Sequence, residues 1–393
     1  MKLNVLKSGS PLLAAAFLMA TSAIGPGFLT QTAVFTQMLG ASFGFIILMS
    51  IILDIGAQLN IWSILCLTGL RAQELSNKVI QGSGAILTFL IVIGGLAFNT
   101  GNLGGAGLGI NVITGWSTEW GAAISAGIAL LLFFQKKSLS WLDLFAKVLG
   151  MVMIALTIYV VFASNPPVTK AIQHSIVPEK IDWMAIITLV GGTVGGYISF
   201  AGAHRLIDGR LTGEKNLHVV KKSAVTAIVL ASIMRILLFL AALGVVEMGL
   251  QLDSNNPAAS VFQLAAGDIG YLIFGIVMWS AAITSVVGSA YTSISFLKSY
   301  SVLSVKNEKI WLSAFVLISL LIVVTIGKPV KTLVAVGALN GFVLPFALLV
   351  IIRASFSPKI VGSYIHPKWL QLFGIGVVLA TMFVSFKTIA NSL

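Results

Sequence analysis

The chain has 393 residues, 58% of them hydrophobic and only 9% charged, against roughly 25% charged in an ordinary soluble domain. A mean hydropathy of +1.02 excludes a soluble globular protein and implies a set of bilayer spans. The net charge of +12 does not indicate a nucleic-acid partner, because the basic residues fall in short connections between apolar runs, where they set topology.

Met1 to Lys7 followed by Pro11 to Ala20 imitates a secretory leader. Apolar character resumes after Gly25-Pro26-Gly27, so the expectation is an interrupted first span rather than a cleaved leader. Allowing about 20 residues per crossing, the apolar runs predict spans near Pro11 to Met38, Phe43 to Gly69, Ser83 to Thr114, Trp120 to Phe134, Trp141 to Ala163 and Trp183 to Ala203. Five more follow near Ala224 to Val246, Ile269 to Leu297, Ile310 to Ile326, Thr332 to Ile352 and Lys368 to Leu393, with a short helix at Pro257 to Gly267. The expectation is an all-α polytopic membrane protein of 11 spans forming one transporter domain over residues 1–393. Residues 10–165 and 182–353 make two inverted five-helix repeats, and 368–393 adds an extra helix.

With the N-terminus cytoplasmic, 17 Lys and Arg lie inside and five outside, namely Lys170, Lys180, Lys328, Lys331 and Lys387. That asymmetry predicts a multi-pass protein of the cell membrane with its N-terminus in the cytoplasm. Lys147 and Arg235 fall within spans. Lys147 follows Asp143 by four residues, the spacing of a local helix pair. The single cysteine, Cys66, lies in an apolar run and makes no disulfide framework.

Two spans contain sequence that a continuous helix avoids: Gly25-Pro26-Gly27 in the first, and Gly191-Gly192-Thr193-Val194-Gly195-Gly196 in the sixth. Freed backbone is tolerated in a membrane only where it faces protein or a wet cavity. Breaks at corresponding positions of two halves point to an inverted-repeat secondary transporter with its site at the midplane. The plainer alternative is glycine for close helix packing, the expected role of Gly101, Gly104, Gly105, Gly107 and Gly109 in the third span.

These motifs resemble the NRAMP family of divalent-metal transporters, in the leucine-transporter-like fold. The family's first break, Asp-Pro-Gly-Asn, falls on Gly25-Pro26-Gly27-Phe28. Its sixth-span motif, Gly-Ala-x-x-Met-Pro-His-Asn, falls on Gly191 to Ile198, and Gly40-Ala41-Ser42-Phe43-Gly44 and Leu344-Pro345-Phe346 flank the alignment. The family's metal ligands correspond to Gly25, Phe28 and Gly195, so no side-chain ligand remains and transition-metal affinity is expected to be lost. Its third-span Asp-x-x-Glu pair falls on Asn99 and Asn102, and its sixth-span His on Tyr197. Asn99 and Asn102 are either ligand- or water-lining groups or simple interhelical hydrogen-bonders.

Small residues where ligands stood suggest space for a larger solute, with Gly192, Gly195, Gly196 and Tyr197 on one side and Gly25 to Phe28 on the other. The inner half-helices, expected to start near Phe28 and Tyr197, would offer positive dipole ends to an anionic group. Arg235 sits mid-span, where a cation costs roughly 2.5 kcal/mol or more. It is either an anchor for a substrate carboxylate or the structural partner of Asp54 in the second span. Thr284 and Ser285 match a hydroxyl segment of the family and resemble the place where sodium-coupled members of the wider fold hold their ion. A bound sodium is therefore one coupling expectation and a proton on Asp54 the other; the hydroxyls could equally bond back to their own helix.

The expected function is secondary-active transport of a small organic solute bearing a carboxylate, amino-acid-like or 5-oxoproline-like, since divergent members of this kind resemble a bacterial group associated with 5-oxoproline utilisation. The alternative is a magnesium or manganese transporter with relocated ligands. No enzymatic motif is present: there is no His-Glu-x-x-His and no intramembrane aspartate pair. Apart from the sodium ion no cofactor is expected. The expected partners are a small-molecule substrate and the lipid bilayer, for a monomer that binds no nucleic acid.

Overall fold

A computed structural model describes Met19 and residues 23–134, 138–297 and 307–392. Among them every regular element is helical. The first described helix is α1 (Pro26–Leu39); a 3-10 turn at Gly40–Ser42 joins it to α2 (Phe43–Thr68). A short α3 (Ala72–Val79) precedes α4 (Ser83–Thr114), α5 (Thr118–Phe134) and α6 (Ser138–Ser164). After α7 (Val168–Ile176) come α8 (Trp183–Thr193), α9 (Tyr197–Asp208), α10 (Leu217–Glu247) and α11 (Pro257–Leu297). The chain ends with α12 (Glu308–Ile326), α13 (Pro329–Ser355), a turn of helix α14 (Pro358–Val361) and α15 (Lys368–Ser392).

Eight of these helical stretches are long and apolar enough to cross a membrane, counting Pro26–Thr68 as one. A ninth arises if the pair Val148–Ser164 and Val168–Ile176, bent by 104°, is one span. The chain is thus a multi-pass membrane protein. The described residues do not reach the predicted count of 11: Thr118–Phe134 has only 17 residues, and of the first predicted span only Met19 is described before Ala23. The side chains of Asp143 and Lys147 also lie outside what is described.

Local chemistry sets the boundaries. Pro26 opens α1 where its missing N–H costs nothing, and Asp182 caps α8 by accepting from the Ala185 amide at 3.1 Å. Gly69, Gly115 and Gly327 close α2, α4 and α12 in left-handed geometry. Gly267, at φ 65° and ψ −164°, kinks α11 and separates the predicted short helix from the long apolar run.

The interior is organised around α1, which packs against α4, α8, α10, α11 and α13. The glycines of α4 allow that approach. A β-carbon at Gly105 would collide with the Pro26 ring, one at Gly101 would press on Leu333, and one at Gly109 would strike Gly275 and Trp279. The packing role expected of this stripe is the one it has, and its tightest seat holds the first helix break.

Candidate functional site

Both breaks are present and both are shorter than the glycine runs that announced them. In the first, Ile24 and Gly25 are non-helical and Gly25 is extended at φ −111°, ψ −175°. The inner helix therefore starts at Pro26, two residues before the expected Phe28, and Gly27 and Phe28 are already in its first turn. In the sixth span only Val194, Gly195 and Gly196 leave the helix, with Gly196 at φ 53°. Gly191 and Gly192 are helical, and their small size serves packing: a β-carbon at Gly191 would strike the Gly337 carbonyl and Gly341, and one at Gly192 would lie 2.8 Å from Gln31 Oε1.

The expectation of empty volume at Gly25 and Gly195 is corrected. A β-carbon at Gly195 would come within 2.7 Å of the Asn340 carbonyl oxygen, and one at Gly196 would overlap the Asn340 side-chain oxygen. Asn340 of α13 thus fills the space beside the second break. At Gly25 the added carbon would meet Ser285 Oγ at 3.1 Å and Asn102 Oδ1 at 3.5 Å. The surroundings of the two breaks are a close layer of backbone and neutral polar groups.

Two polar clusters flank the start of α1. In the neutral one, Asn102 is fully buried with both amide atoms unpartnered, and the hydroxyls of Ser285 and Tyr197 are likewise buried and unpartnered. Tyr197 stacks edge-on against Phe98 at 5.3 Å, with its hydroxyl towards Asn102 and Ser289. Asn99 is satisfied: it donates to Ser319 at 3.0 Å and accepts from Ser289 at 3.0 Å. Thr284 turns away, donating to the Ser280 and Ala281 carbonyls of its own helix. Of the predicted hydroxyl pair only Ser285 faces the first break.

The charged cluster lies between the two breaks. Arg235, 3% exposed, places its guanidinium carbon 4.0 Å from the centre of the Phe28 ring. Its Nη1 donates to Thr193 Oγ1 at 3.1 Å, at the last turn of α8, while Thr193 donates to the Leu189 carbonyl at 2.8 Å. Asp54 is within electrostatic reach of both Arg235 and Thr193 but makes no contact ion pair with Arg235, and Asp54 Oδ1 and Arg235 Nε and Nη2 have no partner. The direct Asp54 to Arg235 ion pair, one of the two alternatives the sequence left open, is not formed; Thr193 interacts with both side chains instead.

Sequence reasoning missed Thr193, Gln31 and Asn340. Gln31 donates to the Leu333 carbonyl at 2.9 Å, tying α1 to α13, and Asn340 donates to the Gly94 carbonyl at 3.2 Å, tying α13 to α4, and to Val336 of its own helix at 3.0 Å. Asn340 is an isolated amide in an apolar run and only that oddity marks it, whereas Gln31, between two threonines, carries no such mark. Among the described residues no group of three His, Cys, Asp or Glu side chains converges as a metal site would.

Residues 16–391 match the family model for natural resistance-associated macrophage protein-like transporters. The chain belongs to the Nramp family. It is 54% identical over 379 residues to an uncharacterised membrane protein of Haemophilus influenzae, covering 96% of each chain. It is also 54% identical over 386 residues to the uncharacterised membrane protein YcsG of Bacillus subtilis, covering 98% of this chain and 96% of that one. In fold it resembles the Eremococcus coleocola manganese transporter, with TM-score 0.74 and 14% identity over 98% of this chain and 89% of that one. It also resembles MhsT in complex with L-phenylalanine, with TM-score 0.66 and 18% identity over 96% and 98% of the two chains. Mhp1 with bromovinylhydantoin bound gives 0.63 and 14% over 97% and 93%. The Nramp chain is accordingly a transporter of leucine-transporter-like fold and not an enzyme.

Proposed function

We propose that this Nramp-family protein is a secondary-active transporter, a monomer of 11 spans in two inverted repeats, that carries a small organic carboxylate by alternating access, coupled to sodium or protons. The observation that carries the reading is the free edge of Arg235. Nε and Nη2 are the two adjacent donors that grip a carboxylate side-on, and both are buried without a partner, while Nη1 is held by Thr193 and the plane is held by Phe28. Phe28 belongs to the first turn of α1 and Thr193 to the last turn of α8, so an anion bound there would bear on both broken helices at once. The unpartnered Asn102, Ser285 and Tyr197 offer neutral hydrogen bonds to the remainder of the solute, and Ser285 beside Gly25 is the candidate sodium ligand. The fold neighbours bound to L-phenylalanine and bromovinylhydantoin support an organic solute in such a fold.

The manganese transporter neighbour favours a second reading, a divalent-metal transporter with relocated ligands. The positions of Gly25, Phe28 and Gly195 count against it, because backbone carbonyls alone bring no anionic charge to a dehydrated cation.

The deciding experiment is uptake into proteoliposomes of a panel of small carboxylates and of manganese. Carboxylate uptake that falls roughly tenfold or more in Arg235→Lys and disappears in Arg235→Gln is expected, because lysine keeps the charge without the planar edge. Asp54→Asn separates anchoring from folding, since a purely structural pair would make the two neutralising variants equally unstable. Saturable manganese uptake by the wild type, or normal carboxylate transport by a stable Arg235→Gln protein, would overturn the proposal.

A further inference from the structure

Where α10 begins, the molecule opens a groove of about 300 Å³ that belongs to neither polar cluster. Its floor is apolar, formed by Leu59 of α2, Val225 of α10 and Leu370 of α15, and its rim carries His218, Lys221, Lys222 and Trp369. Among the described residues no acidic side chain forms an ion pair with either lysine. Trp369 is 61% exposed at the first turn of α15, the position at which an indole meets the level of lipid headgroups. The walls are fixed: Asn60 of α2 donates to its own helix at Gly56 and across to the Leu370 carbonyl at 3.0 Å. Beyond the groove α15 presents Leu372, Leu379 and Met382 outward, each more than half exposed.

The geometry points to an anionic phospholipid as the occupant. A soluble anion would gain nothing from a floor of leucine and valine, and a zwitterionic lipid would gain little from two uncompensated lysines. A phosphodiester with net negative charge satisfies Lys221 and Lys222 while its glycerol lies against Trp369 and its chains follow Leu59, Val225 and the outer face of α15 into the bilayer. The charge here is more than a topology signal, because it is gathered at one groove between three membrane helices. Lipid bound there bridges α10, whose middle carries Arg235, and α15.

The test uses the purified full chain in neutral detergent micelles doped with dioleoylphosphatidylglycerol or dioleoylphosphatidylcholine, with retained lipid counted by native mass spectrometry. The wild type is expected to retain phosphatidylglycerol about fivefold or more over phosphatidylcholine. Lys221→Gln with Lys222→Gln brings the ratio near parity, whereas Lys328→Gln with Lys331→Gln, which removes the same charge from the start of α13, leaves it unchanged. Should the first pair weaken folding, Trp369→Ala at its exposed position is the second variant, expected to lower phosphatidylglycerol retention without changing the melting temperature in phosphatidylcholine. Equal retention of the two lipids by the wild type overturns the inference, as does an unchanged ratio in the folded lysine variant or undiminished phosphatidylglycerol retention in Trp369→Ala. Displacement of the lipid by an equal concentration of glycerol 3-phosphate also overturns it, by marking a site for free phosphate.

Discussion

At Gly25 a single methyl group separates two outcomes. An alanine β-carbon would lie 3.1 Å from Ser285 Oγ, tight enough that the hydroxyl must shift from the break it faces. Gly25→Ala is therefore expected to cut transport and any sodium-dependent rise in melting temperature several-fold. Adding Ser285→Ala removes the crowding and should restore stability, but it should leave the sodium response lost, since the oxygen is gone. Melting in sodium chloride against choline chloride reads the effect. If the wild type ignores sodium and its transport follows an imposed pH gradient, the coupling group is Asp54, whose Oδ1 is buried without a partner. Arg235 announced itself in the sequence because a mid-span cation has to be compensated. Thr193, which holds it, did not, because a hydroxyl in an apolar run usually bonds its own helix, and Thr193 does that as well.

Among the elements, the breaks were legible and their extent was not. Proline and clustered glycine mark lost helix propensity, but Gly191 and Gly192 are small because α13 and Gln31 approach them, a cause that lies some 150 residues away in either direction and leaves no local trace. The docking of α15 on α2 was equally hidden. It rests on His366, 2% exposed, in the connection before α15. Asn60 Nδ2 is occupied by two carbonyls, so its Oδ1 must accept from His366 Nε2 at 3.0 Å, leaving Nδ1 to accept from the Tyr364 hydroxyl at 3.3 Å. This arrangement needs a neutral ring. Burial first, and then the charge of Lys221, push its pKa down to about 4 from the ordinary 6.5. A histidine with a lowered folded-state pKa binds fewer protons folded than unfolded, so its contribution is complete above about pH 6.5 and is lost as the pH falls towards 4. The melting temperature is expected to decline across that window, and His366→Gln, which cannot take up the proton, should flatten that part of the profile. A wild-type profile level between pH 6.5 and 4 would contradict the role.

For the molecule as a whole, composition and the spacing of apolar runs were enough to give an all-helical membrane protein, because a bilayer admits few alternatives. They were not enough to give the number of crossings: α1 and α2 are joined by one 3-10 turn, α5 is short, and α6 meets α7 at a sharp bend. Orientation rests on the Lys and Arg asymmetry alone, and the protein supplies its own background for testing it. Cys66 is its single cysteine and is completely buried, so a thiol introduced at the surface is the one that reacts. Ser254 and Lys215 are both exposed and bracket α10. With the Lys-rich side cytoplasmic, a membrane-impermeant maleimide should label Ser254→Cys in intact cells and Lys215→Cys only after permeabilisation. The reverse pattern would invert the molecule and with it the direction from which the carboxylate reaches Arg235, whereas labelling of both in intact cells would show that α10 does not cross.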